Sequence, residues 1–165
     1  YVLVHVSWHG AWCWKPLSTL LCQLGHQVSC LDLPGHGLNS FPLANVTYDT
    51  YYQSLVDELT RYSEPIVLVA HSMSGILAAP LLDQYSDQIS HLFLIAAFVA
   101  QNGKSLLDLA LEGGPSAIPS ILLTDSENHT QSLDLHQAKN ALYHDCPSKI
   151  ADWAIHQLQP QPVAP

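Results

Sequence analysis

Four short apolar runs alternate with stretches in which apolar residues recur every three or four positions. Tyr1–Val6, Gln27–Leu31, Ile66–Ala70 and Ile89–Val99 read as strands, and the unbroken runs read as strands buried on both faces. Three helical patterns lie between and after them. The first begins near Trp14, takes Pro16 in its opening turn and presents Leu17, Leu20, Leu21 and Leu24 as its core face, with Gly25 ending it. The second begins at Thr47 or Asp49 and carries Tyr51, Leu55, Val56 and Leu59. The third follows Ser72 through Ile76, Leu77, Ala78, Leu81 and Leu82, with a kink expected at Pro80. This alternation predicts an α/β fold, a parallel sheet with helices on both faces.

After Val99 the pattern changes. Asn102-Gly103 reads as a turn, and Leu106–Leu111, Gln137–Tyr143 and Lys149–Leu158 as short helices. Gly113-Gly114-Pro115 and Ser120–Thr130 read as irregular, and Gln159–Pro165 as a linker; no further strand is evident. Residues 1–99 are therefore expected to form the core, and residues 100–165 a small helical cap over the strand ends. Open α/β sheets bind ligands there.

Composition narrows the function classes. A 165-residue chain with 48% hydrophobic and 12% charged residues is long enough and apolar enough for one packed domain. Its formal charge of −9 and five scattered basic residues argue against nucleic acid or an anionic membrane as a partner. The apolar runs Ile66–Ala70 and Leu92–Ala100 are too short to span a bilayer. No signal peptide opens the chain, which begins without methionine and is expected to start inside its gene product or after processing. Cys13, Cys22, Cys30 and Cys146 lack metal or redox spacing and read as free thiols, which suits a cytoplasmic location.

The candidate chemistry gathers at Ala70-His71-Ser72-Met73-Ser74-Gly75, where an apolar strand turns sharply into a helix. Such a turn strains the serine backbone and points Oγ off the end of the sheet, provided small residues flank it two positions away. Ala70 and Ser74 meet that requirement. A serine at a strand end also serves as a helix cap, and the pentapeptide alone does not separate the two roles. The ten histidines include no His-Glu-x-x-His spacing, and Gly35-His36-Gly37 lacks the third glycine of a dinucleotide fingerprint. Neither a metal nor another cofactor is expected. His26, His91 and His156 read as surface or satisfied core residues.

The stretch Val4-His5-Val6-Ser7-Trp8-His9-Gly10-Ala11-Trp12-Cys13-Trp14, the loop Asp32-Leu33-Pro34-Gly35-His36-Gly37 with Ser40, and the turn around Ser72 together resemble the α/β-hydrolase superfamily. Within it they are similar to the branch of plant methylesterases, salicylate-binding esterases and hydroxynitrile lyases with their bacterial relatives. Tyr143-His144-Asp145-Cys146 and Trp153-Ala154 look like the cap of bacterial members. The resemblance implies that Ser72 attacks an ester carbonyl while a histidine takes its proton and an aspartate orients that histidine. It implies an oxyanion hole from the N–H groups of Met73 and, by position, Ser7. Trp8 and His71 are candidate substrate contacts; packing is the alternative role for each.

Two features depart from the branch. Val6 stands where its esterases carry glycine, adding β-branched bulk beside the oxyanion site. The family order Ser, Asp, His places both partners after the cap, so they are expected beyond residue 165, with the remaining core strands. Asp125 with His129, or Asp134 with His136, have the right order but fall in the cap. The expected function is a serine hydrolase of the carboxylesterase kind acting on small, partly apolar esters. Cyanohydrin cleavage and a non-catalytic small-ligand binding protein are the alternatives. A homodimer is compatible with this reading.

Overall fold

The computed structural model describes residues 1–99 and 103–164. Val2–Val4 forms β1, wholly buried, in the interior of a four-stranded sheet. Its neighbours are β2 (Ser29–Leu31) and β3 (Ile66–His71), and β4 (Ile89–Ile95) lies outside β3. All three pairings are parallel, in the order β2-β1-β3-β4. Val4 stands level with Ala70, so the chain leaves β1 and β3 side by side. That register brings the His5–His9 loop next to Ser72.

A 3-10 turn (Ala11–Trp14) leads into α1 (Lys15–Gln23); α2 (Tyr48–Leu59) precedes β3 and α3 (Gly75–Tyr85) precedes β4. Alternation along the strands divides the core. Val2, Val4, Leu68 and Ala70 pack with Tyr51, Leu55, Leu59, Leu77 and Leu81 of α2 and α3. Leu3 and Val69, on the opposite face, pack with Trp14. α3 runs through Pro80. The expected core face of the first helix is corrected: α1 buries no residue, and Leu20 and Leu24 are 58% and 74% exposed. Its spacing does gather the leucines on one side, but Trp14 fills the space over Leu3 and Val69 before the helix begins. β4 ends at Ile95, short of the expected Val99, and Phe93 and Ile95 are exposed on it.

The region after the sheet holds the three expected helices, α4 (Leu106–Glu112), α6 (Leu135–Tyr143) and α7 (Ser148–Ile155), and between the first two a one-turn helix that was not expected, α5 (Ile118–Ile121). It also holds strands that the sequence does not announce. β5 (Leu122–Asp125), β6 (Thr130–Leu133) and β7 (Gln161–Pro162) form an antiparallel sheet in that order. Two expectations are thereby corrected. Ser120–Thr130 is not irregular throughout: the Asp125 carboxylate accepts the Glu127 and Asn128 N–H groups at 3.1 Å each and closes a hairpin. Nor is Gln159–Pro165 a plain linker, because Gln161 and Pro162 are buried in β7, an edge strand, where a residue without an N–H is tolerated. A second core of Ile121, Leu133, Ala138 and Ile155 joins this sheet to α6 and α7, with Trp8 packed against it. Of the expected Asn102-Gly103 turn, Asn102 lies outside the described residues; Gly103 has φ +81.

Among the described residues no helix is long and apolar enough to cross a membrane, and no group of three or more His, Cys, Asp or Glu side chains has the geometry to hold a metal ion. All four cysteines are free.

Candidate active site

The chain changes from strand to helix within one residue at Ser72. His71 is extended (φ −111, ψ 131), Ser72 has φ +54, and Ser72–Ser74 forms a 3-10 turn running into α3. A positive φ on a residue with a Cβ is strained and persists only where its surroundings hold it. Here they do. Phe98 N–H donates to the Ser72 carbonyl at 3.0 Å. Ser74, fully buried, donates its hydroxyl to the His5 carbonyl. A Cβ on Gly75 would run into the Phe98 carbonyl oxygen and lie 2.9 Å from Ala97 Cβ, so this position has room for no side chain. The Ser72 side chain is partly exposed, and no hydrogen-bond partner holds its Oγ among the described residues.

Ser7 and Met73 are brought together: Ser7 Oγ donates to Met73 Sδ at 3.3 Å, and both residues are buried. Met73 lies in the first turn after the strand, where backbone N–H groups lack an intrahelical acceptor. Val6 is not among the residues with positive φ, so its β-branched side chain meets no backbone strain. The strain in this loop sits two residues on, at Trp8, with φ +63. Trp8 donates its indole N–H to the Gln131 carbonyl at 3.0 Å. It also lines an open cavity of about 480 Å³ with Leu123, Leu133, Leu158 and Pro160; Asp134 and His136 are on the wall and Ser72 is not. His71 packs edge-on against Trp14 at 6.2 Å, and burial lowers its pKa.

The histidines around this loop are locked neutral. Burial, aided by the neighbouring His36, pushes His5 down to about 3. Its Nε2 accepts the Leu33 N–H at 3.1 Å and its Nδ1–H donates to the Val6 carbonyl at 2.9 Å. His9, pushed down to about 4 by burial, donates from Nδ1 to the Ser7 carbonyl at 2.7 Å and accepts the Tyr143 hydroxyl at Nε2, 2.6 Å away. Trp12 stacks on the His9 ring and meets Trp153 edge-on, tying α6 and α7 to the loop. His36, also brought to about 4 by burial, meets the Tyr51 hydroxyl at 2.7 Å. Asp32 accepts the Ala11 N–H at 2.6 Å and the Leu38 N–H at 3.0 Å, and a Cβ on Gly37 would strike its carboxylate. These groups organise loops; they are not poised to move protons.

Neither alternative Asp–His pair assembles. The Asp125 carboxylate is taken up by Asn128 and the hairpin N–H groups, and Asp134 caps α6 by accepting the His136 backbone N–H at 2.9 Å and the Gln137 amide at 2.8 Å. Among the described residues no hydrogen bond joins either carboxylate to a histidine ring. The reading of the sequence missed Tyr143, Gln159 and Gln161, which bond the loop from 134 to 153 positions away in the numbering, and Tyr51, which bonds His36 and Gln161 behind it. No local spacing marks such contacts. Their only signal is that polar residues stand inside apolar patterns, as Tyr51 does in α2.

Residues 1–164 match the family described as the Alpha/beta hydrolase family. Putative methylesterase 11, chloroplastic, of Arabidopsis thaliana is 30% identical over 176 residues, covering all of this chain and 45% of that protein. Methylesterase 9 of the same plant is 36% identical over 102 residues, covering 60% of this chain and 40% of its own. Methyl jasmonate esterase 1 of Vitis vinifera is 33% identical over 102 residues, covering 60% and 39%. The chain thus spans less than half the length of these relatives. Among solved structures, a methylesterase from Arabidopsis superposes with a TM-score of 0.79 at 26% identity, covering 99% of this chain and 66% of that one. An extracellular alpha/beta-hydrolase from a Paenibacillus species gives 0.82 at 25%, covering 99% and 67%.

Proposed function

The chain belongs to the alpha/beta hydrolase family, and from that premise we propose that it is the nucleophile-bearing part of a methylesterase-like carboxylesterase. Ser72 Oγ attacks the carbonyl carbon of a small, partly apolar ester. A histidine takes its proton and returns it to the leaving alcohol; water then releases the acid from the acyl-enzyme. The N–H groups of Ser7 and Met73 receive the negative charge that develops on the carbonyl oxygen. Residues 1–99 supply this machinery and residues 100–165 the cap above it. The names of the methylesterase relatives support the ester as substrate.

The observation that carries this reading is the Ser72 backbone at φ +54 between an extended His71 and a helical α3, with Ser7 and Met73 in contact beside it. We place the base and its orienting aspartate outside these 165 residues. Asp125 and Asp134 are occupied locally, and among the described residues β4 is an apolar strand paired on one side only, a ready edge for further parallel strands. Cyanohydrin cleavage would use the same serine and histidine, but Val6 offers no hydroxyl to hold a cyanohydrin.

The test is active-site labelling of the full-length gene product with a fluorophosphonate, alongside hydrolysis of a methyl ester. Ser72→Ala is expected to abolish both. Equal labelling of the two proteins removes Ser72 from the nucleophile role, and labelling without ester turnover favours a protein that has kept the fold and lost the activity.

A further inference from the structure

The peptide joining Ser7 to Trp8 is held at both ends. Val6–His9 makes a tight turn, closed by the His9 N–H on the Val6 carbonyl at 3.3 Å. Trp8, third in the turn, has φ +63, while Ser7 lies outside the left-handed region. This is the pattern of a type II turn, whose third position suits glycine. A tryptophan there is strained, and a half-turn rotation of the central peptide into a type I turn would relieve it. Two contacts oppose that rotation. The Ser7 carbonyl accepts from His9 Nδ1 at 2.7 Å, and the Trp8 N–H donates to Gln161 Oε1 at 3.3 Å.

The second of these contacts comes from the far end of the chain. Gln161 lies in β7, 6% exposed. Its amide nitrogen donates to the Tyr51 hydroxyl at 3.3 Å and to the Pro162 carbonyl at 3.2 Å, which fixes the oxygen toward Trp8. β7 is itself fixed to β6 through Gln131, whose carbonyl takes the Trp8 indole. Gln159, two residues earlier, donates its N–H to the Trp8 carbonyl at 3.0 Å and accepts the Gly37 N–H at 2.6 Å. The segment is a strap across both loops, and every polar group of the Trp8 backbone and ring is tied to it or to β6.

We propose that Gln161 is a positioning residue for ester hydrolysis, holding the Ser7–Trp8 peptide in its strained orientation and thereby the Ser7 N–H at the oxyanion. The inference rests on the esterase reading above. Rotation of that peptide swings the Ser7 carbonyl and the Trp8 N–H; the Ser7 N–H belongs to the preceding peptide and is reached through the shift of Ser7 Cα that accompanies the change in ψ at Ser7. A displacement of about 1 Å near the chemistry is worth roughly a hundredfold in rate. Because the clamp belongs to the antiparallel sheet of the cap, seating of the cap sets the geometry of the oxyanion loop.

The experiment compares the full-length wild type with Gln161→Met, which keeps the length and loses the amide, and Gln161→Glu, which keeps an acceptor for the Trp8 N–H. With p-nitrophenyl acetate, Gln161→Met is expected to lose about tenfold or more in kcat with KM within about threefold, and its fluorophosphonate labelling slows in parallel. Gln161→Glu is expected to stay within about threefold of wild type in kcat, since burial keeps the carboxyl protonated, its O–H donates to the Pro162 carbonyl in place of the amide, and its other oxygen still accepts the Trp8 N–H. Should Gln161→Met not fold, Gln161→Asn, with the amide drawn back by one methylene, takes its place. An unchanged kcat in the Met or Asn variant, or equal losses in that variant and in Glu, overturns the inference. If turnover vanishes in Ser72→Ala and is untouched by loss of the Gln161 amide, the strap fails alone; if it survives Ser72→Ala, the esterase reading fails and the strap inference with it.

Discussion

His5, His9 and His36 sit inside the fold with pKa values lowered to about 3, 4 and 4, burial being the largest cause for each. All three are neutral in the folded protein at neutral pH. The unfolded chain binds protons at these rings near the ordinary value of 6.5, so between pH 6.5 and about 4 the unfolded state holds more protons and stability rises with pH. Their contribution is complete above pH 6.5 and is lost as pH falls through that window. Each ring adds about 1.4 kcal/mol per pH unit once well below its unfolded value. Together they steepen acid unfolding to about 4 kcal/mol per unit, a large slope beside a domain stability of about 5–15 kcal/mol. The urea midpoint is expected to fall progressively from pH 7 to pH 5, and His36→Gln to flatten that fall. A midpoint that does not move over this range would contradict the assignment. Ser72 and Trp8 are the residues whose chemistry lies in the backbone. The strained φ of Ser72 is announced by the strand-to-helix turn and its small neighbours, whereas that of Trp8 is invisible to residue type, since tryptophan does not prefer that region.

Elements follow from pattern wherever a local device and a packed face agree. α2 is the clearest case. Thr47 and Thr50 form a reciprocal cap, with Thr50 N–H on Thr47 Oγ1 at 3.2 Å and Thr47 N–H on Thr50 Oγ1 at 2.9 Å, and Tyr51, Leu55 and Leu59 fill the core behind it. Thr47→Ala is expected to cost about 1 kcal/mol in urea unfolding and Thr47→Ser to restore most of it. α3 depends instead on closeness. Gly75→Ala forces a methyl against Phe98 and Ala97, with an expected loss of about 1–3 kcal/mol and slower labelling of Ser72, because the same contact holds the elbow. α1 shows the limit of periodicity. Leu17, Leu20 and Leu24 share a side, yet all three are exposed, because spacing says which residues stand together and not what stands opposite.

At the scale of the molecule, the exposed side of α1 and the free edge of β4 leave apolar surface uncovered: Leu20, Leu24, Phe93, Leu94 and Ile95. Contiguous apolar surface and open strand edges drive association. The 165-residue stretch expressed alone is expected to self-associate in light scattering, and Phe93→Lys with Leu20→Lys to reduce it. A monodisperse monomer from the unaltered stretch would count against that surface being sticky.

The order of strands and helices through β4, the parallel sheet and the place of Ser72 at a strand end were determined by the sequence itself. They rest on local causes: uninterrupted apolar runs, helical spacing, small residues around a turn. The hairpin of β5 and β6, the strand at Gln161 and the polar clamps on the Ser7–Trp8 loop were decided only by tertiary structure. Each joins groups distant along the chain, and a hydrogen bond between Trp8 and Gln161 leaves no trace in the neighbourhood of either. Pairing across that distance follows from how the layers pack, which is set by the whole fold and by no segment of it.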